Sequence, residues 1–493
     1  MSIRDTIASH ILKAVPKGTR VEIRVPEENQ TAHYATNVAF RMAKGQKKNP
    51  RETAEGIALN LLKSAPAEFF DRVEVAGPGF INLWLSQKTL NAELGKILRE
   101  KSKYGASRVL NEKIQLEFIS ANPTGPLTLA NGRGGFLGDV LGNVLKAAGA
   151  KVEKEYYVND TGHQILTLGK SLLAARGVIP DEEEFYKGGY VKNWAKKNIE
   201  IVAKHKDKPM ELGERAAKDF LRIIKTAIEK KAKIKFDRYT SEKKIHQLEF
   251  PRKVLQILKK GGWVYERDGA VWLKTTAFND DKDRVLITSE RAPTYLLADA
   301  GHYLETKKRG FDAKINILGP DHYGYVKRIQ AVAKILKFKK SDVLITQAIR
   351  LMRDGKEFKM SKRKGEFVTF DDLAGEVGMD AARFFFLMIA PETHMDFDMN
   401  LAKERSNKNP VFYIQYAYVR CQSILKKSKS QIPNFKLNLL NTEADVKLIR
   451  SLVQFPEIIA DTANDYQVHR LARYALALAG DFHNFYEKER VLG

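Results

Sequence analysis

Two stretches of the chain hold residues whose types and spacing suit a polyphosphate. Between Asn122 and Gly135 the sequence sets Pro123, Thr124, Gly125, Gly132, Gly134 and Gly135 after a strand-like run and at the start of a helical one. Glycines at such a junction let backbone approach a phosphate, and the free N–H groups of a helix start can point at it. A plain tight turn accounts for the same glycines equally well. The second stretch carries Arg353, Lys356, Lys359, Lys362, Arg363 and Lys364 against only Asp354 and Glu357. Such a run repels itself unless an anion lies among its lysines, and triphosphate fits that demand. The order Lys359-Met360-Ser361-Lys362 is more specific than a generic lysine-rich surface. Glu117 stands inside an otherwise apolar strand, between Leu116 and Phe118, and that strand leads into the glycine loop. Tyr295 and Asp299 lie four residues apart and share one face of a helix. His163 and His322 are conceivable metal ligands, but no His/Cys/acid cluster has zinc spacing, which favours hydrogen bonding or packing.

The elements that must position these groups fall into three parts, as expected of 493 residues at ~100–200 per domain. Residues 1–110 alternate an amphipathic run (Ile7, Ile11, Leu12, Val15) with a strand-like Val21, Ile23, Val25, a helical run from Tyr34 to Ala43, and the strand Phe80 to Leu85. That reads as a small α+β domain. Over 111–390, short apolar strands (Ile114 to Ser120, Ala270 to Leu273, Ile315 to Leu318, Val343 to Gln347) feed helical runs, the pattern of a parallel α/β sheet with crossovers. From 391 to 493 apolar residues recur at helical intervals, which reads as a helical bundle. Lys and Arg number 84 against 60 Asp and Glu, a formal charge of +24 that favours polyanions, nucleic acid first among them. A hydrophobic content of 43% supports folded cores rather than a basic disordered chain. The single cysteine, Cys421, excludes an internal disulfide and a Cys-rich zinc site. With no ~18-residue apolar run and no leader-like start, a soluble cytoplasmic protein is expected.

Taken together, these motifs resemble a known family. Ala121-Asn122-Pro123-Thr124-Gly125-Pro126-Leu127 before a helix, Thr294-Tyr295-Leu296-Leu297-Ala298-Asp299, Gly319-Pro320-Asp321-His322-Tyr323-Gly324-Tyr325 and Lys359 to Arg363 are similar to class I arginyl-tRNA synthetases. Tyr34 to Ala39 and Ala76 to Asn82 resemble the family's additional N-terminal domain, which contacts tRNA. Asn409 to Ala417 and His483-Asn484-Phe485-Tyr486 resemble its helical anticodon-binding domain. The resemblance implies a Rossmann-like catalytic domain over 111–390 and an arginine–tRNA ligase. Its substrates are L-arginine, ATP with Mg²⁺, and arginine-accepting tRNA. Neither zinc nor a tightly bound cofactor is implied, no membrane is involved, and a monomer is expected. The arginine carboxylate attacks the α-phosphate of ATP, and the terminal ribose hydroxyl of tRNA then takes the arginyl group from the adenylate. In the family the first step generally requires bound tRNA.

Residue by residue, the resemblance assigns the catalytic positions to Thr128, Asn131, Lys359 and Lys362. It assigns ATP binding to Pro123, Thr124, Gly125, Gly132, Gly134, Met360 and Ser361. Arginine binding falls to Glu117, Ser120, Asn122, Tyr295, Asp299 and His322, with an acidic residue near Gly269 for which Asp268 is preferred to Glu266. Asn37 and Tyr416 take tRNA. Two departures stand out. Where the family reads His-x-Gly-His, this chain has Thr128-Leu129-Ala130-Asn131, neutral donors that cannot carry the charge of an imidazolium. The family also usually continues past the position of Val491-Leu492-Gly493, so the anticodon domain is expected to be incomplete. A synthetase-like tRNA-binding protein without catalysis is the alternative. Class I enzymes for cysteine need thiolate zinc ligands that one Cys cannot supply, and those for branched-chain amino acids carry an editing insertion too large for this catalytic domain.

Overall fold

Ile3, Ile7 and Ile11 recur at helical spacing and are buried on α1 (Ile3–Ala14), whose start is fixed by a reciprocal capping box between Ser2 and Asp5. After β1 (Ile23–Arg24) and β2 (Tyr34–Thr36) come α2 (Val38–Gln46) and α3 (Pro50–Ser64), the latter with Asn49 as N-cap and proline in its first turn. β3 (Phe70–Ala76), β4 (Phe80–Leu85) and α4 (Gln87–Glu100) complete this segment, with the four strands antiparallel in the order β1-β2-β4-β3. The helix expected from Tyr34 begins only at Val38. Tyr34 and Thr36 instead pair with Leu83 and Ile81 of β4, and the two-residue period of a strand buries both side chains.

The computed structural model describes residues 2–26, 31–358, 369–428 and 437–491. It divides into two units, one of Met1–Val109, Phe412–Asp465 and Arg473–Gly493, the other of Leu110–Val411 and Tyr466–Ala472. The second unit is built on β5 (Lys113–Glu117), α5 (Leu129–Ala147) and β6 (Lys151–Val158). A helical insertion follows: α6 (His163–Ala174), α7 (Gly189–Lys197), α8 (Ile199–Lys204) and α9 (Pro209–Lys225). Then come β7 (Arg238–Ser241), α10 (Glu242–Gln247), α11 (Phe250–Lys260), and an antiparallel trio β8 (Val264–Arg267), β9 (Ala270–Leu273) and β10 (Arg284–Ile287). α12 (Tyr295–Lys308), β11 (Ala313–Leu318), α13 (Val326–Ile335) and β12 (Lys340–Ile345) close the sheet.

That sheet has five parallel strands in the order β12-β11-β5-β6-β7. The chain winds away from β5 toward β6 and β7 on one side and toward β11 and β12 on the other. The reversal opens a crevice at the carboxyl ends of β5 and β11, where α/β sheets bind ligands. β5 stops at Glu117 rather than at Ser120, because Ile119 and Ser120 both adopt positive φ, 65° and 37°. Two consecutive non-glycine residues in that region break any ladder and mark a strained, held turn. One face of the sheet is covered by α5, which comes close because its glycines leave room. A Cβ on Gly138 would lie 2.2 Å from the Phe118 ring, and one on Gly142 would lie 2.5 Å from Lys154 Cε.

Beyond the sheet lie β13 (Ile349–Arg353), β14 (Lys356–Glu357), α14 (Phe370–Val377), α15 (Met379–Leu387), β15 (Met395–Asp398) and α16 (Met399–Lys403). The chain then turns helical, with α17 (Pro410–Ser428), α18 (Glu443–Val453), α19 (Phe455–Asp465) and α20 (His469–Lys488). In the first unit α18 shares the core of the N-terminal segment, which runs from Ile3 and Tyr34 through Leu90 and Leu94 to Ile449 and Val453. A polar clasp joins α19 to the same segment: Glu457 Oε1 accepts from the Tyr34 hydroxyl and from the Arg4 backbone N–H, both at 2.9 Å. Arg4 in turn pairs in a fork with Asp461, at 2.8 and 2.6 Å.

Burial pushes the Glu457 carboxyl up to about 7, against the opposing pull of Arg4 and Tyr34. The folded state therefore holds a proton that the unfolded chain has released, so this contribution is full below the unfolded value, ~4.3, and is lost as pH rises through 7. Thermal melting should show the first unit weakening between pH 5 and 8, and Glu457→Gln should flatten that dependence. An equally steep profile in the variant would sink the assignment.

Candidate active site

The site starts from a layer of charge that the sheet buries. In the parallel register Asn316, Glu117, Glu155 and Arg238 lie in one row across β11, β5, β6 and β7. Lys314, two residues before Asn316, is fully buried and gives its ammonium to Gln115 Oε1 (2.6 Å) and Glu117 Oε2 (2.9 Å). Asn316 Nδ2 donates to the same Glu117 oxygen at 2.9 Å, while the Ser120 hydroxyl donates to Oε1 at 3.2 Å. Above the row, α12 brings His302, whose Nε2 lies 2.6 Å from Glu155 Oε1 and whose Nδ1 lies 3.7 Å from Glu117. Arg309 of α12 pairs with both Glu155 and Glu305. Burial alone would raise the carboxyls of Glu117 and Glu155. Lys314 and His302 beside Glu117, and His302, Lys314 and Arg309 around Glu155, outweigh burial and hold both below the ordinary carboxylate range.

A second set of carboxyls lies at the edge of this layer, where compensation does not outweigh burial: His302 and Lys314 pull Asp299 down but it stays raised. Asp299 is one turn before His302 on α12 and accepts from the Tyr325 hydroxyl. Burial, with the charge of Glu117, raises its carboxyl above the ordinary value. Glu242 opens α10 directly after β7, and burial with the nearby charges of Asp299 and Asp160 pushes it up to about 7. Asp160, in the turn after β6, accepts from the Ser241 hydroxyl (2.6 Å) and from Lys243 N (3.0 Å). Neighbouring buried carboxyls suit a cation with several donors, and a planar guanidinium supplies them in a fixed fork.

Next to this pocket runs the glycine loop. Asn122 Oδ1 accepts from Asn159 Nδ2 at 2.7 Å, and Ser120 Oγ accepts from Tyr157 N at 3.0 Å, which ties the loop to β6. Pro123 and Thr124 are buried, Thr124 hydrogen-bonds Tyr186 of the helical insertion, and the Tyr190 ring lies where a Cβ on Gly125 would fall. Thr128 is the N-cap of α5. Asn131 Oδ1 accepts from Thr128 N (2.9 Å) and from its hydroxyl (2.8 Å), which secures the helix start and leaves the Asn131 Nδ2 hydrogens free of partners among the described residues. The structure gives Gly132 a different task from phosphate contact. A Cβ there would lie 2.4 Å from the Phe370 ring, so the glycine makes room for α14. At Gly134 the nearest atom, of Ile317, is 3.8 Å away, so nothing in the packing demands glycine.

Tyr295 opens α12 with 69% of its surface exposed, one turn from Asp299, and His322 is exposed in the short 3-10 turn Pro320–Tyr325. Asp268 lies in a hairpin. With φ of 52° followed by 73° at Gly269, it forms the tight turn between β8 and β9, its side chain is 83% exposed, and its ionic partner is Arg267. The fold brings Glu242 within electrostatic reach of Asp299, although Ser241-Glu242-Lys243-Lys244 reads in sequence as an ordinary charged stretch. Lys359, Met360, Ser361 and Lys362 lie outside the described residues. Asn37 and Tyr416 belong to the other unit. Asn37 stands just before α2 with its Oδ1 buried and unpartnered, and Tyr416 is exposed on α17 with its ring stacked on His483 at 5.5 Å and under the Arg420 guanidinium at 4.9 Å. Among the described residues, Glu155, His302 and Glu305 lie close enough together to hold a metal ion. The guanidinium groups of Arg309 and Arg238 already face the two glutamates, where a cation would stand.

A doubly wound sheet with a strained turn, a glycine loop and a carboxyl pocket at its switch point, followed by a helical bundle, defines a class I aminoacyl-tRNA synthetase. The comparisons narrow this. Residues 93–389 match the family model "tRNA synthetases class I (R), catalytic domain", residues 1–85 match "Arginyl tRNA synthetase N terminal domain", and residues 414–493 match "DALR anticodon binding domain". The arginine–tRNA ligase of Listeria monocytogenes is 40% identical over 99% of this chain and 92% of its own length. That of Symbiobacterium thermophilum is 39% identical over the same shares. The solved arginyl-tRNA synthetase of Thermus thermophilus has a TM-score of 0.77 at 19% identity, covering 99% of this chain and 92% of that one, and shows the same fold. The chain belongs to the arginyl-tRNA synthetases.

The packing at α5 generates a paired test. Gly132→Ala should lower the melting temperature, with a cost of ~1–3 kcal/mol for overpacking against Phe370. Gly134→Ala should leave it unchanged or slightly raised, since alanine favours helix by ~0.5–1 kcal/mol. Equal melting of the two variants would contradict the close approach of α14.

Proposed function

We propose that the chain is an arginine–tRNA ligase in which Asp299, Glu242 and Glu117 receive the substrate guanidinium, with Tyr295 and Asn122 at the pocket rim. The observation that carries this reading is the convergence of Glu117, Asp160, Glu242 and Asp299 at the carboxyl ends of the parallel strands, two of them with raised carboxyls. Glu117 is charge-compensated by Lys314, so it serves mainly as a fixed acceptor. Asp299 and Glu242 supply the charge that arginine neutralises. ATP enters with Mg²⁺ along the loop from Pro123 to Gly125, where Asn131 Nδ2 and the first turn of α5 offer neutral donors to phosphate. Lys359 and Lys362 stabilise charge on the departing pyrophosphate. Asn37 and Tyr416 contact tRNA, in a division at about residues 110 and 390 into tRNA-contacting, catalytic and anticodon-binding parts. The enzyme works as a cytoplasmic monomer and needs no zinc.

Charging of arginine-accepting tRNA with labelled arginine, ATP and Mg²⁺ tests the reading, with lysine and no-tRNA reactions as controls. Arginine attachment should depend on tRNA and should fall by ~10² or more in Lys362→Ala, the scale of one lost charge stabiliser. Binding of tRNA without any attachment of arginine would overturn it.

The carboxyls make a further demand. In the free enzyme Glu242 is largely protonated at pH 6 and ionised at pH 8, and the guanidinium prefers the ionised form. The KM for arginine should therefore fall as pH rises from 6 to 8, and Glu242→Gln should raise KM and remove that fall. A variant that keeps both the wild-type KM and the wild-type pH profile would exclude Glu242 from the pocket.

A further inference from the structure

Tyr157 lies on β6, two residues beyond Glu155 and therefore on the same face of the sheet, one pleat nearer the carboxyl edge. It is 5% exposed, and its hydroxyl is buried with no hydrogen-bond partner among the described residues. Its ring is not free to turn away. It stacks on His302 with centroids 4.4 Å apart and planes at 22°, and its backbone N–H is held by Ser120 Oγ at 3.0 Å. His302 is fixed in turn by Glu155, and Asp299 sits one turn earlier on the same face of α12. On the other side Tyr157 pairs in register with Thr240, two residues before Glu242. Burial and the charges of Glu242, Asp299, Glu117 and Asp160, carried on four segments, all raise this phenol. A buried hydroxyl left unpaired is costly, and proteins rarely keep one without a ligand to meet it.

We infer that the Tyr157 hydroxyl is a specificity contact for the substrate guanidinium, its oxygen accepting an N–H of arginine. This rests on the reading of the Asp299–Glu242 pocket as the arginine site. A guanidinium has five donors in a plane and so can satisfy two carboxylates and still spare an N–H for a neutral acceptor. A lysine ammonium has three donors on one atom and cannot span the same set. The stacked His302 acts as a positioning residue, since it holds the ring plane and so the direction of the oxygen.

Tyr157→Phe removes one oxygen at constant ring volume, so the fold is kept. The KM for arginine in tRNA charging should rise about tenfold, the loss of one hydrogen bond to a charged group, with kcat changed by less than about twofold. The free variant should melt at or above the wild-type temperature, because an unsatisfied buried hydroxyl is gone. The upward shift in melting caused by saturating arginine should shrink. An unchanged KM with an unchanged arginine-induced shift would overturn the proposal. Asp299→Asn, measured alongside, separates the two levels. If it raises KM while Tyr157→Phe does not, the tyrosine contact alone fails. If neither raises KM, the pocket reading fails with it.

Discussion

The second unit depends on one buried ion pair, Lys314 with Glu117 at 2.9 Å, and on the charged layer that continues from it. A parallel sheet covered on both faces is usually apolar on both. Here the face under α5 is mainly apolar, with Leu116, Phe118 and Tyr156 beside the buried Lys154–Asp139 pair at 2.8 Å, while the face under α12 carries Gln115, Glu117, Glu153, Glu155, Lys314 and Asn316. Removing these charges from water costs several kcal/mol per ion unless each is paired and hydrogen-bonded. The structure meets that demand almost completely. Glu117 has Lys314, Asn316 and Ser120, and Glu155 has His302 and Arg309, although the Gln115 amide nitrogen has no partner among the described residues. Such a network tolerates few alternative arrangements, and it fixes the carboxyl edge of β5 at the place where the glycine loop begins.

That fixed layer sets up the contrast on which the site works. Glu117 and Glu155 have their charges answered from within the protein, so they stay ionised and in place. Asp299 has the Tyr325 hydroxyl, His302 and Lys314 acting on it and Glu242 has the His246 ring beside it, yet burial and the neighbouring carboxylates raise both carboxyls. The fold thus offsets two acidic groups and leaves two others raised by burial. On the proposed reading a substrate guanidinium supplies the offsetting charge for that second pair.

The exchange of the family's two histidines for Thr128 and Asn131 has a structural consequence that composition alone does not reveal. Their side chains bond to each other and secure the start of α5, a helix that carries Gly132, Gly135, Gly138 and Gly142 along its packed surfaces. Those glycines are a packing device. They bring α5 against Phe118, Lys154 and Phe370 and so set where its N-terminus opens. On the proposed reading the N-terminus of α5 offers phosphate backbone N–H groups and a neutral amide, with positive charge supplied from elsewhere in the chain.

Much of this was legible in the residues. Strand-loop-helix order, the lysine-rich run and the long motifs are local features, and local hydrophobic period and Gly/Pro placement report local structure. The family and the fold class followed from them. What the sequence could not convey were pairings between distant residues. Asp268 looked suitable because it is acidic and close to Gly269, yet its positive φ makes it a hairpin turn. Glu242 looked ordinary until β7 placed it beside Asp299, 57 positions later. Likewise Lys314, His302 and Tyr157 have no distinctive neighbours in the chain, and only the parallel register and the crossing of α12 bring them together. The sequence by itself determined the class of chemistry, because motifs are short-range. The tertiary structure decided which carboxyls are compensated and which are left for substrate, because charge balance in a buried layer is a property of neighbours in space.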